Sequence, residues 1–197
     1  MIVPSRFVVF DQETTGLNPE KDQIISIGAL AVVEGDIALD DVFESVLKVT
    51  TATSAVVVHG ITPDQSRHGE EEAVAVGAFL DYIGPAILVG HHVGFDRAIL
   101  RVAANKIGRQ VLNPALDTMR VALALADRGA LELDADEGFE LDVLCQHFGI
   151  VPHDRHTAPG DAFLTAQVFV RLLRLCQRLH LDVLEFVEVD SAADTSF

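Results

Sequence analysis

The sequence predicts an α/β fold in which a mixed five-stranded β-sheet is flanked by helices. Strand-like segments come first and are joined by short turns, whereas the later ones alternate with helical segments. The chain has 197 residues, of which 49% are hydrophobic, and this is enough to bury a core within one domain. Its charged fraction of 22% excludes global disorder.

The first three strands are expected to form an antiparallel meander. An apolar run at 7–10 leads into Asp11, and a second apolar run covers 24–33. The turn residues at 34–36 separate it from a third strand over 37–49. We interpret these strands as antiparallel neighbours because their connections are short.

The second half alternates helices with two further strands. We expect the strands at 87–89 and 111–116, and Pro114 places the second one at a sheet edge because proline lacks a ladder donor. Pro159 occupies a position typical of a helix start. The expected helices cover residues 70–82, 95–107, 117–127, 140–148 and 159 to about 179.

We expect one domain over residues 1–182, followed by an acidic tail, 183–197, that is partly docked or disordered. Residues 182–197 contain five acidic residues and no basic one. Cys145 and Cys176 are far apart and belong to no C-x-x-C motif, which favours buried thiols in a reducing compartment. No apolar stretch is long enough to span a membrane, so we expect a cytoplasmic protein without membrane contact.

The net charge of −16 argues against binding long nucleic acid through bulk electrostatics. A polyanion would have to be held locally, most plausibly through metal ions. The acidic surface is alternatively a contact for a protein partner.

Four acidic residues are predicted to point inward at the ends of elements. Asp11 and Glu13 share one face of the first strand, because side chains alternate along it. Asp96 and Asp161 each begin an apolar stripe of a helix. A single inward acid is often a helix-terminal carboxylate, but four of them need cations to offset burial and repulsion.

Carboxylate oxygens without cysteine ligands favour Mg²⁺ or Mn²⁺. A pair of these ions about 4 Å apart commonly promotes in-line attack on a phosphodiester. His156 lies on the loop before the last long helix, where it is either a general base or a surface histidine.

Five short segments stand out along the chain: Phe10 to Leu17 (FDQETTGL), Val58 to Thr62 (VHGIT), Gly90 to Asp96 (GHHVGFD), Asp117-Thr118, and His156 to Asp161 followed by Ala162. Together they resemble the DEDDh family of 3′–5′ exonucleases, within which they are most similar to the proofreading epsilon subunit of bacterial replicative DNA polymerase and to ribonuclease T. They occur in the order and spacing of the family. One departure is His92, where the family usually has asparagine.

The resemblance implies an RNase H-like fold, two Mg²⁺ or Mn²⁺ ions, and stepwise release of nucleoside 5′-monophosphates from the 3′ end of single-stranded DNA or RNA. Asp11, Glu13 and Asp161 would hold the catalytic metal, while Asp11 and Asp96 would hold the second. His156 would be the general base. The residues implied to meet the terminal nucleotide are Thr14, Gly16, Leu17, His59, His91 and Phe95.

Several of these residues have a simpler interpretation. The spacing of Phe95 from Ile99 favours a core side chain, and His59 is equally consistent with a capped turn. Asp11 could instead be the nucleophile of a D-x-D aspartyl phosphatase, although Glu13 replaces the second aspartate. A further alternative is an exonuclease-like interaction module that binds without cleaving.

Basic residues that could grip a phosphate chain are few, so we expect a short substrate segment to be recognised. They form two stripes, each along one helix: Arg97 and Arg101, and Arg171, Arg174 and Arg178. Each stripe is either a local track for phosphate groups or the solvated flank of a core helix.

Overall fold

A computed structural model describes residues 6–49, 67–133 and 138–188. Five strands form one sheet in the order β3-β2-β1-β4-β5. They are β1 (Arg6–Thr14), β2 (Ile24–Val33), β3 (Asp36–Val46), β4 (Ile87–Gly90) and β5 (Ala115–Asp117). β1, β2 and β3 are antiparallel neighbours, whereas β4 runs parallel to both β1 and β5. The predicted mixed sheet of five strands is confirmed.

The described helices follow the predicted order. They are α1 (Glu72–Ile83), α2 (Val93–Lys106), α3 (Thr118–Asp127), α4 (Leu141–His147), α5 (Ala158–Arg178) and a short 3₁₀ helix (Val183–Phe186). Several boundaries differ from the prediction. β3 ends at Val46 instead of residue 49, α1 begins two residues late, at Glu72, and α2 begins two residues early, at Val93. β5 begins only at Ala115, directly after Pro114, whose carbonyl accepts from the N–H of Leu88 but which has no N–H to donate.

The sheet is covered on both faces, so β1 contributes side chains to two cores. Phe7 and Val9 point into the cluster formed with α3, α4 and α5. Val8 and Phe10 point into the cluster formed with α1 and α2. Burial on both faces explains why residues 7–10 of β1 and most of β2 are continuously apolar instead of alternating with polar residues.

The start of α5 lies directly against the backbone of β2. A Cβ atom at Gly28 would overlap the backbone of Ala158 and Pro159. Gly28 is also the residue of β2 that pairs with Asp11 of β1. The helix start is therefore in contact with the sheet at the level of the first candidate ligand.

The last described residues pack onto the first core cluster. Val183 is buried, Leu184, Phe186 and Val187 pack beside it, and Glu188 pairs with Ala115 at the edge of the sheet. Residues 189–197, which include most of the predicted tail, lie outside the described part of the chain. The described helices include none with the length and apolar character that a bilayer span requires.

Candidate active site

The four predicted carboxylates are carried by three elements that meet at one edge of the sheet. Asp11 and Glu13 lie near the end of β1. The carboxyl ends of β4, which pairs with β1, and of β5, which pairs with β4, open at the same edge. Asp96 is in the first turn of α2, and Asp161 is in the first turn of α5. This edge is where α/β folds commonly place their ligand sites.

Three of the carboxylates are close enough to share one cation. Single carboxylate oxygens of Asp11, Glu13 and Asp161 all lie within 4.8 Å of one another. Asp96 is outside that group of three, but its charge is the strongest of the neighbouring charges that raise the pKa of Asp11. Asp96 therefore interacts electrostatically with Asp11, and its own pKa is raised by burial and by the charge of Glu13.

Burial and mutual repulsion favour the protonated forms of these acids. Burial, followed by the charges of Asp96, Asp161 and Glu13, raises the pKa of Asp11 well above its usual value. Burial and Asp161 raise the pKa of Glu13 to about 7. Burial and Glu13 raise the pKa of Asp96 to about 8. Bound cations would offset this repulsion and allow all of the acids to ionise.

Arg155 supplies a positive charge to the site that the sequence analysis missed. Its Nε and Nη2 atoms donate to the two carboxylate oxygens of Asp142, at 2.6 and 3.2 Å. Its Nη1 lies 2.5 Å from Oδ2 of Asp161. The hydrogen bond from Arg155 lowers the pKa of Asp142, so that residue stays ionised and orients the guanidinium. Arg155 directly precedes His156, but nothing in the local sequence predicted its pairing with Asp142.

The donor set fits a hard divalent cation. Oδ1 of Asp161 is buried and has no hydrogen-bond partner among the residues described here. Its other oxygen, Oδ2, accepts the contact from Arg155 and a 3.3 Å hydrogen bond from the backbone N–H of His156. A buried carboxylate oxygen without a partner is costly, and a cation would satisfy it. Because all the donors are oxygens, Mg²⁺ and Mn²⁺ are the appropriate ions.

His156 lies on the loop that enters α5, as predicted, and its side chain is exposed. The loop is fixed by Thr157, whose hydroxyl donates to the carbonyl of Asp154 at 2.7 Å and accepts from the N–H of Gly160 at 3.2 Å. Asp154 and His156 both have the left-handed backbone conformation, with φ of 54° and 61°. Such strain in non-glycine residues is often found at functional sites.

The loop after β1 presents an apolar tip beside the carboxylates. Leu17 is 87% exposed, and the Thr14 hydroxyl donates to the carbonyl of Gly16 at 2.7 Å. Asp22 holds the loop by accepting from the Thr15 hydroxyl at 2.9 Å and from the N–H of Asn18 at 2.8 Å. This role of Asp22 was not predicted from the sequence, because its partners lie seven and four residues earlier in the same loop.

Of the other residues implied to meet the terminal nucleotide, the structure describes His91 and Phe95 but not His59. His91 is half-buried and its Nδ1 lies 2.9 Å from the hydroxyl of Thr118. Phe95 is half-buried and belongs to neither core cluster of described residues, so its interpretation as a core side chain was wrong. His59 lies outside the described residues.

The expected basic tracks are largely engaged within the fold. Arg97 is only 4% exposed and donates to the carbonyl of Asn113 at 3.3 Å, so it is neither a phosphate track nor a solvated flank. Arg171 donates to the carbonyl of Gln167 at 3.0 Å, and Arg174 pairs with Asp36 at 3.0 Å. These contacts agree with a short recognised segment.

A model of the RNase T exonuclease family matches residues 8–169, a stretch that contains all four carboxylates and His156. The chain belongs to this exonuclease family. Membership agrees with the resemblance found in the sequence and leaves the aspartyl-phosphatase alternative without support.

Two related proteins each match most of this chain. A DNA polymerase III subunit epsilon-like protein of Rhodobacter capsulatus is 37% identical over 174 residues, which are 85% of this chain and 23% of that protein. A PolC-type DNA polymerase III of Thermotoga petrophila is 30% identical over 192 residues, covering 96% of this chain and 13% of that protein. This chain therefore spans less than a quarter of the length of either relative.

Solved structures with the same fold include exonuclease I. One exonuclease I structure superposes with a TM-score of 0.75 at 22% identity, covering 89% of this chain and 43% of that one. E. coli exonuclease I in complex with a dT13 oligonucleotide superposes with a TM-score of 0.75 at 21% identity, covering 89% of this chain and 42% of that one. The fold of the family is thus the one observed here.

Proposed function

We propose that the chain is a metal-dependent 3′–5′ exonuclease that hydrolyses phosphodiester bonds at the 3′ end of short single-stranded nucleic acid segments and releases nucleoside 5′-monophosphates. The observation that carries the proposal is the triplet of carboxylates within 4.8 Å, which lies inside the stretch that matches the exonuclease family and includes an Asp161 oxygen that is buried and unpartnered among the described residues.

The ligand roles follow from position. Asp11, Glu13 and Asp161 would hold one ion, and Asp11 with Asp96 would hold the second. Divalent cations in these positions would stabilise charge on the phosphodiester and activate the attacking water. A cation would take over from Arg155 the neutralisation of Asp161. Arg155 would remain paired with Asp142, and its free N–H donors would face the negative charge that develops on the phosphodiester.

The remaining roles concern protons and the terminal nucleotide. His156 is proposed as the general base, because its loop brings it to the ligand Asp161 while its ring stays exposed to solvent and substrate. Leu17 would insert between the last two bases, supported by the loop that Asp22 fixes. Thr14, Gly16, His59, His91 and Phe95 would complete the nucleotide pocket.

The names of related proteins agree with this assignment. The relatives described above are an epsilon-like subunit and PolC-type forms of DNA polymerase III, and exonuclease I structures contain bound oligonucleotides. We assign the activity to an exonuclease domain of residues 1–182 in the cytoplasm, and we propose that the acidic tail contacts any protein partner.

The test is a digestion of 5′-labelled single-stranded DNA and RNA of equal length, with Mg²⁺, Mn²⁺ or EDTA. The proposal expects a ladder of shortening labelled products with either metal and no products in EDTA. A product released as a labelled mononucleotide would mean the opposite polarity. Intact strands under every condition, with binding preserved, would identify the chain as a non-cleaving module.

Substrate length is tested by measuring KM for strands of increasing length at two salt concentrations. We expect KM to stop improving beyond about four nucleotides and to depend on salt as for roughly one or two phosphate contacts. Steady improvement to long strands with a steep salt dependence would reveal a basic track outside the residues considered above.

A further inference from the structure

A second group of metal-ligating side chains lies at the same edge of the sheet, and the proposed exonuclease chemistry does not use it as a metal site. Ligand atoms of His91, His92 and Glu140 all lie within 4.8 Å of one another. Nε2 of His92 and Oε2 of Glu140 are 3.5 Å apart. None of the three belongs to the carboxylate triplet of Asp11, Glu13 and Asp161.

The hydrogen bonds of His91 fix which of its ring nitrogens is available. The Thr118 hydroxyl donates to the carbonyl of Gly90 at 3.2 Å, so it accepts from Nδ1 of His91 at 2.9 Å. Nδ1 therefore carries the proton and Nε2 carries the lone pair. This is the arrangement in which a neighbouring acceptor orients a histidine for metal binding.

The free nitrogen of His91 has no other use in the described fold. Nε2 is buried and has no hydrogen-bond partner among the residues described. Burial, together with the charges of His92 and Arg155, lowers the pKa of His91 to about 4, so the ring is neutral at pH 7. A buried lone pair without a donor is unfavourable, and a cation would satisfy it.

The other two side chains stand at the starts of helices and are free to move toward His91. His92 directly precedes α2 in a left-handed conformation (φ 59°), and Glu140 directly precedes α4. Their side chains are 51% and 73% exposed. Ligand atoms at about 2.0–2.1 Å from a tetrahedral zinc ion lie about 3.3 Å apart, so rotations of two exposed side chains close the site.

We propose that His91, His92 and Glu140 form a binding site for Zn²⁺ or a similar transition-metal ion, separate from the carboxylate site. Two imidazoles and one carboxylate favour such an ion over Mg²⁺, which prefers oxygen ligands. Three protein ligands leave one coordination position open.

Occupation of this site would affect the neighbouring chemistry. The pKa of His91 responds to Arg155 and Asp142, so a doubly charged ion on His91 would lie within the electrostatic reach of the carboxylate site. The ion would also take the nitrogen that His91 would present to a nucleotide. Resting on the proposed exonuclease function, we expect Zn²⁺ to inhibit the Mg²⁺-supported activity.

The binding test uses the full chain carrying Asp161→Asn, which impairs the carboxylate site, and follows visible absorption during Co²⁺ titration in excess Mg²⁺. We expect one Co²⁺ to bind with the spectrum of a four-coordinate nitrogen–oxygen site and to be displaced by Zn²⁺. Adding His92→Asn or Glu140→Gln should weaken binding at least tenfold, whereas His180→Asn, which alters an exposed histidine beyond α5, should not change it.

Asparagine tolerates the left-handed conformation at position 92, so His92→Asn should keep the melting temperature of its parent. Equal Co²⁺ affinity with histidine or asparagine at position 92 would overturn the proposed site, as would binding equally weakened by His180→Asn. Because the readout is metal binding, it remains decisive even if the chain proves to have no nuclease activity.

Discussion

The carboxylate triplet and the histidine cluster lie at one edge of one sheet, yet burial has opposite consequences for metal binding in the two places. Burial raises the pKa values of Glu13 and Asp96 to about 7 and about 8, so these acids tend to keep their protons at neutral pH. Burial lowers the pKa of His91 to about 4, so this histidine has already lost its proton. In both cases burial favours the neutral form.

This difference separates the two sites in chemistry as well as in position. A cation must displace protons from the carboxylate triplet before all of its oxygens can bind, whereas the lone pair of His91 is ready. Oxygen donors select Mg²⁺ or Mn²⁺, and imidazole donors select transition metals. The two sites can therefore be distinguished by the metal that each one prefers.

The largest expected effect is that of Asp11→Asn, which removes the carboxylate proposed to bind both ions. Loss of several kcal/mol of charge stabilisation corresponds to about a 10³-fold or greater loss of kcat. The rise in melting temperature with Mn²⁺ should disappear in calorimetry, while Co²⁺ binding at the histidine cluster should persist. Retention of full activity in Asp11→Asn or in EDTA would contradict the metal-dependent mechanism.

The next effect concerns His156, which belongs to neither metal site in our proposal. His156→Ala should lower kcat by on the order of 10² to 10⁴, because a general base would be missing. Mn²⁺ affinity, measured by calorimetry, should stay within a few-fold of the parent. The exposed His153→Ala on the same loop is the matched control and should leave kcat unchanged. An unchanged kcat in His156→Ala would make it a surface histidine.

The pH dependence of metal binding should distinguish the two sites. Mn²⁺ affinity at the carboxylates should rise with pH through about 7 to 8, by up to about tenfold per unit for each proton displaced. Without metal, the raised pKa values have the opposite effect: stability is greatest below the usual pKa values and falls as pH rises through about 7 to 8. Calorimetry and thermal melts at pH 6, 7 and 8 measure both trends, and equal Mn²⁺ affinity at pH 6 and 8 would refute the assigned protonation.

The smallest expected effect is that of Arg155→Gln, which removes the protein's own cation from Asp161. The metal-free chain should lose about 1–2 kcal/mol, or about 2–8 °C in melting temperature, because Asp161 then faces Asp11 and Glu13 without compensation. Mn²⁺ should restore most of this loss. Arg174→Gln breaks an exposed pair with Asp36 and should change the melting temperature by less than about 2 °C, as expected for a loss of about 0.5 kcal/mol or less. Equal losses in both variants would show that Arg155 has no special role.

The sequence predicted the strands and helices that carry the site better than it predicted the contacts that hold the site's side chains in place. Alternation along β1 placed Asp11 and Glu13 on one face, and helical periodicity placed Asp96 and Asp161 at inward-facing helix starts. These are local patterns with fixed periods, so a sequence is sufficient to read them.

These contacts were missed because they join distant segments. Arg155 binds Asp142, which is 13 residues earlier in the chain, and Thr118, the first residue of α3, orients His91, which is 27 residues earlier. Arg97 was expected to lie on a basic track or on a solvated helix flank, but it is buried. The carbonyl of Asn113 that it contacts lies in the connection between α2 and β5. No periodicity connects the members of these pairs.

The close contact between Gly28 and the start of α5 has a consequence for the size of the ion proposed to bind Asp11, Glu13 and Asp161. The helix start that carries Asp161 rests on the backbone at Gly28, opposite Asp11, because position 28 has no methyl group. Any larger residue must move the helix start away from the sheet and widen the gap between ligands while every donor atom stays the same. Position 28 is therefore where the radius of the preferred cation can be altered without altering its chemistry.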